Sequence, residues 1–359
     1  MLSTGSDLSE ILDDVTIILN AKPDLLRIIE EKKKVSMNDR LWYFYGFMRK
    51  RIQSITKQTD FKSGFFDFGK ALQSGVRFFN PSIITKGENN WLIARKSEGN
   101  QFNGMGINSL VAFKLNADHK PIEYIPINLT TRSYANQHFE DPRITVINGK
   151  PWLSYCTFQI LNNAYYTGAH QQVAVLNDYW QPEWRWDPIY GNNGGSILQN
   201  SGNEKNWCWF EHDSQLHLIY MTEPHEVASW VNGEVFQKYE TPGKKWRYGH
   251  MRGGTPPVRV GDEYICFFHS SMPWKAPKRQ YFMGAYAFEA KPPFKITRMT
   301  KKPILSGSQE DPWQEGLPLV VFPCGAVLQS NKFLVTMGVN DYVSSWIEIP
   351  LDDLNKLMA

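Results

Sequence analysis

Five polar clusters carry the residue types that chemistry needs. They are Asn80-Pro81 with Arg95, Phe139-Glu140-Asp141-Pro142-Arg143, Glu204-Lys205-Asn206-Trp207, Arg252-Gly253-Gly254-Thr255-Pro256 with His269, and Phe322-Pro323-Cys324-Gly325 with Gly338-Val339-Asn340-Asp341. Carboxylates mixed with arginine, lysine and histidine suit proton transfer at a polarised bond together with the holding of an anion. Asp141 is the best candidate for the proton donor. The following Pro142 is expected to restrict its backbone to extended geometry and so to fix where the carboxylate points. An Asp-Pro turn that merely starts a strand would read the same way, but here Glu140 and Arg143 flank it. Arg143 fits either a partner that orients a carboxylate or a plain salt bridge. The double glycine beside Arg252 could bring backbone N–H groups near an anion, or be a simple bend.

These clusters lie far apart in sequence, so the elements around them must bring them together. From about residue 65 the apolar period is two, and a weak repeat recurs: KGENNWLIARK (86–96), INGKPWLSYC (147–156), EHDSQLHLIYM (211–221), RVGDEYICFFH (259–269) and QSNKFLVTMG (329–338). Each is a polar turn followed by an apolar strand. Taking Trp91, Trp152, His217, Tyr264 and Phe333 as equivalent gives spacings of roughly 50 to 70 residues, the size of propeller blades. Residues 75 to 350 then hold five blades of about 55 residues each. The expected fold is all-β, a five-bladed β-propeller over 63–359, in which the innermost strands line a central funnel. An irregular β-sandwich with look-alike hairpins is the competing architecture.

The first 62 residues have the helical period instead. Leu8, Ile11, Leu12, Val15, Ile18 and Leu19 share one face, and a third helix over roughly 37–55 carries Leu41, Trp42, Phe44, Tyr45 and Met48. This α-helical extension is expected either to pack on the main domain or to serve as an arm for homo-oligomer formation.

Composition excludes several classes. With 39 Lys+Arg against 36 Asp+Glu the formal net charge is +3, which argues against a dedicated nucleic-acid binder. The four cysteines are too dispersed for a CxxC zinc or redox site, and the eight histidines show no HxxxH or HExxH spacing, so no metal or other cofactor is expected. No Walker or GxGxxG loop occurs. The N-terminus lacks the basic and apolar regions of a signal peptide, and no apolar run reaches the ~18 residues of a membrane span, so a cytoplasmic location is expected.

In order and type, the clusters resemble the five-bladed enzymes of glycoside hydrolase family 130, the β-mannoside phosphorylases and β-mannosidases. Glu140-Asp141-Pro142-Arg143 followed by a Gly-containing hairpin is the most specific match. Asn80-Pro81, the strand ending in Arg95, Lys205-Asn206, Pro256-Pro257 leading to His269, and Gly338-Val339-Asn340-Asp341 agree in order across residues 75 to 349. Thr336-Met337-Gly338 and Glu223-Pro224 depart from the pattern, which marks a divergent member. The related glycosyltransferase family 108 shares the resemblance. It implies that Asp141 passes its proton through a sugar hydroxyl and that Asp341 contacts the sugar at the non-reducing subsite.

Cleavage of a glycosidic bond with inversion needs an acid for the leaving oxygen and a nucleophile for the anomeric carbon. A hydrolase uses a second carboxylate about 6.5–9.5 Å away to activate water. A phosphorylase needs cations for phosphate instead, and Lys205, Arg252 and His269 are expected to supply that site. Substrate contacts are expected from Asn80, Arg95, Glu140, Arg143, Asn206, His225 and Asp341; Trp207, Trp209, Tyr248, Trp274 and Tyr342 have the ring faces to stack on a sugar, but core packing is the expected role of each one singly. Glu211, Glu223 and Asp341 keep hydrolysis open. The expected partners are an oligosaccharide or mannosyl phosphate and inorganic phosphate. The favoured reading is therefore a β-mannoside phosphorylase or mannosyl-transferring enzyme. A hydrolase, a GDP-mannose-dependent transferase and a non-catalytic sugar-binding propeller stand as alternatives.

Overall fold

The computed structural model describes residues 61–69, 76–98, 107–129, 137–161, 164–165, 169–186, 205–231, 235–273, 279–307 and 320–359. The expected N-terminal helices, and the oligomerisation arm read from them, lie outside the described residues. The strands form five antiparallel sheets arranged as a five-bladed β-propeller. The first blade runs Val76–Lys86, Asn89–Glu98, Ile107–Leu115, Pro121–Ile127. Gln137–Ile147, Lys150–Leu161, His170–Leu176 and Pro182–Trp186 make the second, and Cys208–His212, Gln215–Met221, His225–Val231 and Val235–Thr241 the third. In the fourth, Met251–Arg252 and Val258–Val260 pair in turn with Glu263–Pro273, which is followed by Arg279–Glu289. The fifth joins Val321–Gln329, Lys332–Val339 and Val343–Pro350 to the early strand Ser63–Phe65, so both ends of the described chain share one sheet.

All five repeat segments contain the second strand of a blade together with its hairpin turn. Their continuous apolar character has a direct cause. Inner strands have neighbouring blades on both faces, as the unbroken buried run within Val76–Lys86 shows, while the outer Pro121–Ile127 is largely exposed. The same double burial hides register. Hairpin pairing makes Ile265 and Leu334, not Tyr264 and Phe333, the equivalents of Trp91, Trp152 and His217, so the sequence alignment is one residue out in the last two blades.

Apolar cores fill the spaces between blades. Ile93, Leu110, Leu153 and Ala174 pack between the first and second, Val173, Trp207, Trp209 and Leu218 between the second and third. Phe267, Met283, Phe333 and Val335 join the fourth to the fifth, and Leu92, Phe113, Leu334 and Trp346 join the fifth to the first. Each of the Val, Leu, Ile, Met and Phe side chains among them contributes about 1.5–3 kcal/mol on burial. Nearer the axis, polar side chains tie the inner strands together. Ser82 Oγ accepts from Ile144 N at 3.0 Å and donates to Cys324 O at 2.9 Å, and Thr336 Oγ1 donates to Pro81 O at 2.7 Å. A helix over Leu351–Met358, not anticipated from sequence, seats Leu354 and Met358 in the core of the last two blades.

Candidate active site

Hairpin register sets the height of the site. Phe79 pairs with Arg95, Glu140 with Cys156, Arg252 with His269 and Phe322 with Gly338, and each pair lies at the same height above its hairpin turn. Just beyond this level the inner strands of the first, second and fifth blades carry one extra residue, between Phe79 and Ser82, Glu140 and Arg143, and Pro323 and Gly325. Such bulges break strand alternation and re-aim a side chain. Asn80 and Asp141 take the extra positions in left-handed backbone, φ 49° and 50°. Asn and Asp tolerate that region better than other side chains do. Asp141 is thus not extended as its proline neighbour led us to expect. The demand of the bulge overrides the local preference, and the bulge rather than Pro142 aims the carboxylate.

Three blades converge on one amide. Asn80 Nδ2 donates to Asp141 Oδ1 at 2.9 Å and to Asp341 Oδ1 at 3.2 Å. Arg95 pairs with Glu140 Oε1 and lies 3.8 Å from Asp141 Oδ1, with its guanidinium carbon 4.7 Å from the Phe79 ring centre. Asn108, which sequence reasoning missed, donates to Glu140 Oε1 at 2.9 Å. Burial pushes Glu140 up to about 7, with Arg95 opposing and Asp141 adding to the rise. Desolvation within the funnel likewise raises Asp341, against Arg95 and with Asp141, although the residue as a whole is exposed. Lys205 is exposed as a residue; desolvation around its ammonium works against its charge, but Cys156, Asp141 and Glu140 outweigh it and its pKa is raised. The Oδ1 of buried Asn80 has no partner and is free to accept from a ligand hydroxyl.

Arg143 is almost completely buried, and among the described residues no carboxylate pairs with it. Its Nε donates to Gly254 O at 2.7 Å, Nη1 to Asp141 O at 3.0 Å, and Nη2 to Asn206 Oδ1 at 3.0 Å. Neither sequence-based reading of Arg143 anticipated this, since its partners are carbonyl and amide oxygens. The double glycine supplies two of them, Gly254 O and, at 3.5 Å, Gly253 O. Both glycines also allow close backbone approach, because a Cβ would collide with Asn206 O at Gly253 and with Phe267 O at Gly254.

Arg252 faces His269 across the fourth blade. Burial first, then the charges of Arg143 and Arg252, hold His269 well below the usual imidazole range. It was counted among the cations from sequence, but it is neutral at neutral pH. Its Nδ1 is buried without a partner.

Other expected contacts lie elsewhere. His225 is fully buried between the third and fourth blades, against Tyr286 and Phe288, with Nδ1 2.9 Å from Phe294 O, and burial lowers it to about 4. It starts a third strand, too far from the axis to join the cluster. Glu211 accepts from Asn148 N at 2.6 Å at a hairpin turn, and Glu223 accepts from Met251 N at 3.2 Å and lies 3.2 Å from His250 Nδ1. Trp207 and Trp209 are core residues, and Tyr248 packs on Trp246 and Phe282. Tyr342 lies under Arg77, 3.9 Å from ring centre to guanidinium carbon. Trp274 and Glu204 lie outside the described residues.

The model of the family described as beta-1,4-mannooligosaccharide phosphorylase matches residues 48–359. The chain belongs to glycoside hydrolase family 130. Its membership makes it an enzyme of the mannoside phosphorylase and glycoside hydrolase class. Among solved structures, this family 130 enzyme is similar to the β-1,2-mannobiose phosphorylase of Listeria innocua, with 13% identity and a TM-score of 0.60 over 81% of this chain and 95% of that one. A mannose phosphorylase from Leishmania mexicana gives 12% identity and 0.56 over 87% and 95%, and a glycosyl hydrolase from Bacteroides ovatus 13% and 0.54 over 76% and 84%. At such identities the likeness shows the fold. No curated protein matches the chain. Among the described residues of the family 130 enzyme, no helix is long and apolar enough to cross a membrane, and no group of three or more His, Cys, Asp or Glu is arranged to hold a metal ion.

Proposed function

We propose that the chain is an inverting β-mannoside phosphorylase in which Asp141 is the acid. The observation that carries this reading is the division of the funnel. Carboxylates gather around Asn80 and Arg95, while Arg143 and Arg252 on the other side have no carboxylate partner among the described residues. Unneutralised guanidinium groups beside an acid suit an anionic nucleophile. The Leishmania mannose phosphorylase was solved with a phosphate ion, which is consistent with the same chemistry.

In the proposed reaction a phosphate oxygen attacks the anomeric carbon from the face opposite the leaving oxygen. The C–O bond to the aglycone breaks, Asp141 gives its proton to that oxygen, directly or through a sugar hydroxyl, and the proton shed by phosphate restores Asp141. Products are mannose 1-phosphate and the shortened saccharide. Asn80 and Asp341 hold sugar hydroxyls. Arg95 and Glu140 keep Asp141 in place, and Arg143 holds its main chain. Lys205 and Arg252 carry the phosphate charge, with neutral His269 as a hydrogen-bonding neighbour. Incubation with mannose 1-phosphate and mannose or manno-oligosaccharide acceptors tests the reading. Release of phosphate with a lengthened product supports it. Consumption of GDP-mannose instead would favour a transferase, and glycan binding without turnover would leave a sugar-binding propeller.

A further inference from the structure

One more arginine converges on the cationic side, and no motif flagged it. Arg279, at the start of the third strand of the fourth blade, donates from Nε to Ser271 Oγ at 2.9 Å and from Nη2 to Ser271 O at 3.0 Å. Arg252 Nη2 reaches the same hydroxyl at 3.5 Å from the inner strand. Ser271 is buried and lies two residues beyond His269, hence on the same face of its strand. Two guanidinium groups are thus gathered on one hydroxyl, and among the described residues neither has a carboxylate partner. Arg279 Nη1 and Arg252 Nε and Nη1 make no hydrogen bond there, so donors remain on both groups for a third body. Like charges held this close are disfavoured until an anion sits between them.

We propose that Arg279 and Arg252 form, across Ser271, a clamp for a phosphoryl dianion, whether free phosphate or the phosphoryl group of a sugar phosphate. The clamp extends the His269 level of the site by one more pair of residues along the strand. This assignment rests on reading that side of the funnel as the phosphate side. It adds a residue from a third strand, where a planar fork can meet two phosphate oxygens at once.

The test is direct titration of the purified full chain with inorganic phosphate, and separately with mannose 1-phosphate, by calorimetry. Wild type is compared with Arg279→Gln and Arg279→Lys. Arg279 is exposed, and an unchanged melting temperature checks that each variant is folded. The expected result is phosphate binding at least tenfold weaker in Arg279→Gln, partly restored in Arg279→Lys, with the KM for mannoside changed less than twofold. A similar loss for mannose 1-phosphate assigns the clamp to both phosphoryl sources, and a loss for one alone assigns it to that one. If wild type binds and uses phosphate but Arg279→Gln binds it equally well, the clamp is wrong and the phosphorylase reading survives. If wild type binds neither ligand, both fail.

Discussion

On the side of the funnel built by the first, second and fifth blades, the carboxylates are met by donors. Glu140 is met by Arg95 and Asn108, and Asp141 and Asp341 share Asn80. The fourth-blade side is the reverse. Arg252 and Arg279, with Arg143 reaching across from the second blade, bond only carbonyl, amide and hydroxyl oxygens among the described residues, and the one histidine among them is held well below the usual imidazole range. Both sides place a hairpin pair at one height in their blades, and the difference comes from the side chains there and from the bulges that the first, second and fifth blades carry beside them. A self-neutralised acid side can hold and protonate a neutral sugar. A cationic side without its own anions is suited to receive one from solution.

The largest expected effect tests the acid side. Asp141→Asn keeps the shape of the side chain and removes the proton donor, so kcat should fall about 10³-fold in both directions of the reaction. A loss under tenfold would move the acid role elsewhere, Glu140 being the next group to examine.

Glu140 gives the comparison a pH dependence. Its carboxyl rises from an ordinary 4.5 to about 7 in the fold, so the folded state holds this proton more tightly than the unfolded chain. Its contribution to stability is complete below pH 4.5 and is lost as pH climbs through about 7, a change of about 3 kcal/mol. Urea denaturation at pH 5 and pH 8 should show a pH-dependent loss in wild type that shrinks by about that amount in Glu140→Gln. Equal slopes would mean that Arg95 keeps Glu140 ionised across the range.

On the cationic side, Arg252→Gln should weaken phosphate by about 30-fold, the ~2 kcal/mol of a charge-assisted hydrogen bond, with a much smaller change in the KM for mannoside. The reverse pattern would place Arg252 among the sugar contacts. A smaller effect tests the junction of the first and fifth blades. A Cβ at Gly338 would meet the side chain of Asn80, so Gly338→Ala should displace the amide that joins Asp141 to Asp341. An approximately tenfold drop in kcat, with phosphate binding unaltered, is expected, about 1.4 kcal/mol at the transition state. Full activity would show that Asn80 is not needed where it stands.

The five turn-strand repeats were enough to read the propeller, because hairpin turns and doubly buried strands leave local marks, and the polar clusters named Asn80, Arg95, Glu140, Asp141 and Asp341, which the fold brings together. What escaped depended on partners distant in sequence. The geometry of Asp141 is decided by a bulge against the second strand, which a rule about the next residue does not see. The charge of His269 is decided by burial and by Arg143 and Arg252 beside it, where its residue type alone suggested a cation. His225 looked polar and available, yet it starts a third strand packed on Tyr286 and Phe288. Asn108 and Arg279 sit in unremarkable strand sequence, and only pairing between strands discloses what they touch.

The division of the funnel is tested most directly by phosphorus NMR of the wild-type enzyme with inorganic phosphate and a series of β-manno-oligosaccharides. Formation of α-mannose 1-phosphate, saturating with phosphate and abolished in Asp141→Asn, is the predicted result. Release of free mannose at a rate independent of phosphate would contradict it, and would leave the unpaired arginines without the anion they imply.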